Sequence, residues 1–225
     1  NCSFDATQFM AYGEVCDGNS VTISTLAATP QESRSVEFDP GTFAECALVI
    51  LADASGYNVP LPSTGTLLPK VMGIEVLFLN RNEPLQGGQL NELVPLKPYR
   101  LIFGEDRATV IYFDPEMETT SVVPFEVTTD GSVATLDHAS PFYLLNNKPV
   151  AAAEAVADGT SVAIDFTGTA DEGSGSAFFM TYQVWESGTK IQEWSGTLTG
   201  NLPALDGGSH TLILRAVDPY GSESE

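Results

Sequence analysis

The chain has 225 residues, enough for one large β domain or two ordinary ones, and its 43% hydrophobic content argues against disorder. Nine basic residues face thirty acidic ones, a net charge of −21. That balance leaves nothing to track a nucleic-acid backbone and disfavours anionic membrane surfaces.

Nearly every periodic segment has the two-residue period of strands. Val21–Leu26 alternates. Thr42–Leu51 is apolar almost throughout, and short helix and strand both remain open for it. The run Cys46–Ala52 inside it is too short to span a bilayer, so no membrane insertion is expected. Val71–Leu79 is a strong apolar strand followed by a turn at Asn80–Pro84, and Gln89–Val94 has room for one helical turn. Tyr99–Phe103 and Thr109–Phe113 are two further strands, the second ending in an Asp114–Glu118 turn. Val122–Thr128 and Val133–Asp137 flank Thr129-Asp130-Gly131-Ser132, a hairpin signal because Asp-Gly tolerates positive φ. Asn146–Pro149 is the best boundary: it is polar, it ends in proline, and composition changes after it. Beyond it, Val150–Ala157 is alanine-rich, but Pro149 before it and Asp158-Gly159 after it favour a strand. Ser161–Phe166 and Phe178–Trp185 alternate, Glu186–Thr189 turns, and Lys190–Trp194 answers. Leu205–Gly221 reads as a turn, an alternating strand and an exit turn at Asp218. The expectation is an all-β chain of two tandem β-sandwiches, residues 28–146 and 147–225. Residues 1–27 stand apart as an N-terminal, strand-donating extension. No charged-then-apolar leader precedes Asn1, as expected of a processed chain or of a segment of a longer one.

Lys148-Pro-Val-Ala, Ser161-Val-Ala-Ile-Asp, Gly168–Gly173, Tyr182-Gln-Val-Trp185 and Gly208–Gly221 together resemble the PKD and related Ig-like modules of microbial surface proteins. The resemblance implies an Ig-like sandwich with Trp185 filling the gap between its sheets. Val110–Pro115, Phe125–Gly131 and Asp137-His-Ala-Ser-Pro-Phe-Tyr-Leu-Leu145 weakly resemble the end of ZU5-like sandwiches of large secreted proteins. Some relatives of that family cleave themselves. By that resemblance Ser140 would attack the Ala139–Ser140 bond with His138 as base. Ala139 stands where the family prefers a large apolar residue, and Pro141 follows. The plainer reading is a strand end with local hydrogen bonds.

Cys2 and Cys16 flank a turn-rich stretch and suit a local disulfide, leaving Cys46 as a buried thiol; no spacing suggests zinc. Asp158, Asp171, Glu172 and Asp218 gather at one expected end of the second sandwich, where carboxylates and loop carbonyls suit Ca²⁺. The alternative is that they are solvated turn residues. Tyr182 and Trp185 differ by three and face opposite sides of a strand, so Trp185 is expected inside and Tyr182 or Trp194 outside, where a glycan would stack. No phosphate loop, dinucleotide fingerprint or hydrolytic triad is apparent. The expected protein is therefore not an enzyme. It is an extracellular, cell-surface structural protein: a filament or layer subunit, or an adhesin stalk. It would associate with itself or neighbouring surface modules through strand edges, with calcium as a possible cofactor. A glycan- or protein-binding module is the rival, followed by a self-cleaving domain.

Overall fold

The computed structural model describes residues 9–61, 65–67, 73–105, 108–159, 161–171 and 180–224. The protein is all-β, built of antiparallel sheets, as the alternation predicted. By its internal packing the chain divides into two compact units, 1–145 and 146–225. Among the described residues, no helix is long and apolar enough to cross a membrane.

The first unit contains β1 (Phe9–Val15), β2 (Val21–Ser24), β3 (Arg34–Phe38), β4 (Ala47–Asp53), β5 (Gly65–Leu67), β6 (Ile74–Asn80), β7 (Leu85–Gln86), β8 (Gln89–Leu90), β9 (Tyr99–Phe103), β10 (Thr109–Asp114), β11 (Thr119–Val122), β12 (Phe125–Thr128), β13 (Gly131–Leu136) and β14 (Ser140–Asn147). One sheet runs β1-β4-β6-β14-β10-β11, with β5 also on β14, and the other runs β12-β13-β9-β3-β2. Phe38 and Tyr99 of the second sheet meet Phe78 of the first at 5.9 and 5.1 Å between ring centroids. This aromatic cluster lies between the facing sheets of a sandwich.

The apolar runs at 47–53 and 74–80 are continuous because both faces of these strands are covered. Val49, Leu51, Val76 and Phe78 face the other sheet, while Ile50, Leu77 and Leu79 pack outward against Leu48 and Leu90. Both helical options therefore give way to strands: 47–53 is β4, and Gln89–Leu90 is half of a small hairpin. At the other edge the chain changes sheets between Val122 and Phe125, where Val123-Pro124 interrupts the ladder. Proline cannot donate to a ladder, so one apolar run becomes the edge strand of each sheet. At the expected hairpin, Gly131 has φ 119°, and a Cβ there would lie 1.9 Å from the Phe103 carbonyl oxygen.

Of the expected extension 1–27, the described strands at 9–15 and 21–24 belong to the sheets of the first unit. There β1 pairs with β4 from Val15↔Ala47 to Phe9↔Ala52, and β2 pairs with β3 from Val21↔Phe38 to Ser24↔Ser35. Val21–Ser24 is the edge strand of the second sheet of the first unit, paired within its own chain, so its reading as a segment without a home domain is withdrawn. Its alternation was real: β2 pairs with β3, the next strand along the chain, and β1 with the more distant β4.

The second unit contains β15 (Glu154–Asp158), β16 (Ser161–Asp165), β17 (Thr181–Glu186), β18 (Thr189–Ser195), β19 (Thr199–Asn201) and β20 (Leu212–Val217). Its sheets are β15-β16-β19 and β18-β17-β20. Ile164 and Phe166 from one side meet Tyr182, Val184 and Ala216 from the other in a single core. The β17–β18 turn places Ser187 at φ 49° and Gly188 at φ 80°, the twist that a two-residue hairpin requires.

Candidate functional site

Among the described sheet edges, β15 is exposed along its whole length. All five of its residues are exposed, with Val156 at 65%. Among the described residues its ladder partner is β16 alone, from Glu154↔Asp165 to Asp158↔Ser161. Ala155 lies opposite Ile164, so the two side chains share the core-facing side. Ile164 is 1% exposed, yet Ala155 and Ala157 stay open to solvent. The strand thus overhangs the core, with only methyl groups on its inner side. Across a two-residue hairpin the flanking pair exchanges both backbone hydrogen bonds, and ladder pairs then alternate. The N–H groups of Ala155 and Ala157 accordingly point away from β16.

Two shallow grooves of about 600 and 390 Å³ border this sheet, and Glu154 and Asp165 line both. These carboxylates are directly opposed across the ladder, an unfavourable like-charge pair. Asp165 is held below its usual range by hydrogen bonds from the Thr167 hydroxyl and N–H. In the first unit a groove of about 440 Å³ runs beside β11, lined by Pro60, Leu61 and Val122 with the buried Ile111 and Leu145.

Asp158 and Asp218, two of the four calcium candidates, have different structural settings. Asp158 closes the β15–β16 hairpin, at the end of that ladder opposite the one from which the chain continues to Asp171. Asp218 is 5% exposed and fully engaged. Its Oδ2 accepts from Asn146 Nδ2 at 2.7 Å, and its Oδ1 accepts from the Tyr220 and Ser222 N–H groups at 2.8 and 2.9 Å. It braces the exit turn rather than offering a vacant carboxylate. Glu172 lies outside the described residues. Among the described residues no group of three or more His, Cys, Asp or Glu side chains is placed to hold a metal ion.

The disulfide also differs from expectation: Cys16 pairs with Cys46, not with Cys2, and Cys46 is not a free thiol. Val15 opposes Ala47 in the β1–β4 ladder, so the next residues outward face each other with Cα atoms 4.2 Å apart. Cys2 lies outside the described residues. The pairing depends on a ladder between strands far apart in sequence, which Cys spacing could not reveal.

His138 and Ser140 lie where β13 leads into β14, each with its own local contacts. The His138 Nδ1 lies 2.9 Å from Asp137 Oδ1, and its ring packs on Tyr112 and Phe142. Ser140 opens β14 opposite Val76, and among the described residues no hydrogen bond joins it to His138. The hydrogen bond from His138 lowers the Asp137 pKa.

The opposite facing of Tyr182 and Trp185 holds, but their roles are exchanged. Tyr182 is 0% exposed and lies against Phe166 with ring centroids 4.4 Å apart. Trp185 takes the outer face, donates to Gln183 Oε1 at 2.9 Å and lies under the Arg215 guanidinium at 5.1 Å. Trp194 packs against the core, and a Cβ on Gly200 would sit 2.0 Å from its Cε2. The three rings therefore form no stacking strip. Which face of β17 is inside was decided by the opposing sheet, not by alternation.

Sequence reasoning also passed over Arg34, 5% exposed on the core-facing side of β3, whose Nε has no hydrogen-bond partner among the described residues. Burial pulls its pKa down, against the charges of Asp53 and Glu32. The signal was available: within Arg34-Ser35-Val36-Glu37-Phe38 it occupies the apolar parity.

Scanned against family models and compared with curated proteins and with solved structures, the chain finds no match.

Proposed function

We propose that this chain is an extracellular structural module, a subunit of a surface filament or layer or a stalk segment of an adhesin. It joins its neighbours non-covalently through strand edges. The observation that carries this reading is β15, a strand with every residue exposed and, among the described residues, one backbone edge without a partner. Such an edge is a template for another strand, and soluble proteins usually blunt it. Here the blunting is limited to Glu154 and Asp158 at the two ends. The Cys16–Cys46 disulfide agrees with an oxidising, extracellular setting, and the net charge of −21 suits a crowded surface protein. The PKD-like sequence features of residues 148–225 point to the same class.

Negative-stain micrographs of the natively isolated protein test the proposal, paired with an Ala155→Pro/Ala157→Pro variant. Proline at these two positions removes the outward donors while leaving the ladder to β16 intact. Filaments or lattices from the wild type, lost in a variant with unchanged tryptophan fluorescence, are expected. Dispersed wild-type particles would overturn the assembly reading. Undiminished assembly by the variant would overturn the role of β15.

A further inference from the structure

The connection between β19 and β20 leaves the core at Leu202, packs again through Leu205, and then exposes Asp206, Gly207, Gly208 and Ser209. It returns through His210, whose Nδ1 lies 2.6 Å from Glu186 Oε1 and whose Nε2 lies 2.8 Å from the Asp206 carbonyl oxygen. A neutral imidazole carries one N–H and one lone pair. Both atoms facing the ring are acceptors, a carboxylate oxygen and a carbonyl oxygen. Both bonds form together only when the pair holds one proton more than neutral imidazole and carboxylate. The charged groups acting on the ring are Glu186, at the end of β17, and Asp206, within the same connection; both are negative.

We propose that His210 is a protonation-dependent clasp. As imidazolium it ties the β19–β20 connection to the end of β17, and on losing its proton it gives up one of the two bonds and releases Asp206–Ser209. The bond to the Asp206 carbonyl, then that to Glu186, raises the His210 pKa above its ordinary value, against a smaller desolvation effect. The sign follows. With the folded-state pKa raised, the clasp is fully formed below the ordinary imidazole value of about 6.5 and is lost as pH rises through the higher folded-state value. The device stands independently of the assembly proposal. It makes one surface connection of the second unit conditional on pH.

The test is a ¹⁵N NMR titration of the imidazole in the full chain, with a His210→Gln variant to assign the signal. The expected midpoint lies above 6.5, with both ring nitrogens protonated at that pH, and Glu186→Gln lowers it without changing the far-UV circular dichroism. Exchange protection of the Gly207–Ser209 amides, corrected for base catalysis, is expected to fall by up to about tenfold per pH unit between about 6.5 and the midpoint and to level off above it. In His210→Gln that pH dependence is expected to vanish. A midpoint at or below 6.5, or the same pH-dependent protection in His210→Gln, would overturn the clasp.

Discussion

Reducing the Cys16–Cys46 bond should weaken the first unit and leave the second untouched. The bridge closes a loop with a sequence separation of 30. For a loop of that size the chain-entropy relation gives about 3.5 kcal/mol of stabilisation at 25 °C, from a constant of about 2.1 cal/mol/K plus 1.5R ln n. With a urea slope of about 2 kcal/mol per molar, that is a midpoint shift of roughly 1.5–2 M. The chain supplies its own control, because both tryptophans, Trp185 and Trp194, belong to the second unit. Urea unfolding should be followed by far-UV circular dichroism and by tryptophan fluorescence, with and without reductant. Reduction is expected to move the dichroism transition assigned to the first unit and leave the fluorescence transition in place. Both cysteines are partly exposed, so a mild reductant reaches them. Peptide mapping of the oxidised protein should recover Cys16 linked to Cys46. A Cys2–Cys16 peptide, or coincident dichroism curves after complete reduction, would refute the reasoning.

Two further outcomes are expected. Tyr182→Ala removes a fully buried ring from the core of the second unit and should cost about 3–5 kcal/mol, whereas Trp185→Ala on the outer face should cost about 1 kcal/mol; equal losses in chemical denaturation would contradict the assignment of faces. Burial raises the Glu75 pKa although the Tyr57 hydroxyl donates to Oε1 at 2.9 Å, so its ionisation opposes folding once pH rises through the folded-state value. Glu75→Gln should therefore stabilise the first unit at pH 7, with the difference vanishing below the ordinary carboxylate value of about 4; a thermal-melt difference that persists at pH 3 would count against this.

What the chain determined by itself is what local backbone chemistry can determine. Alternation located Tyr99–Phe103, Ser161–Asp165 and Leu212–Val217, because side chains of a strand point alternately to its two faces. Asp130-Gly131 and Ser187-Gly188 marked hairpins, because the positive φ they need is costly for most other residues. Alternation also put Tyr182 and Trp185 on opposite faces, but it carries no information on which face another sheet will cover, and that exchanged their roles. Continuous apolar runs such as 47–53 lose the period altogether when both faces are buried, so helix and strand could not be separated there. The rest depended on contacts between residues far apart in sequence. The β1–β4 ladder chose Cys46 for Cys16, the β1–β4 and β2–β3 ladders placed 9–15 and 21–24 in the sheets of the first unit, the hydrogen bonds of Asp218 turned it to bracing the exit turn, and the paths of the sheets left β15 exposed. Pairing and coverage are settled when distant strands compete for the same edges and faces, which only the tertiary structure resolves.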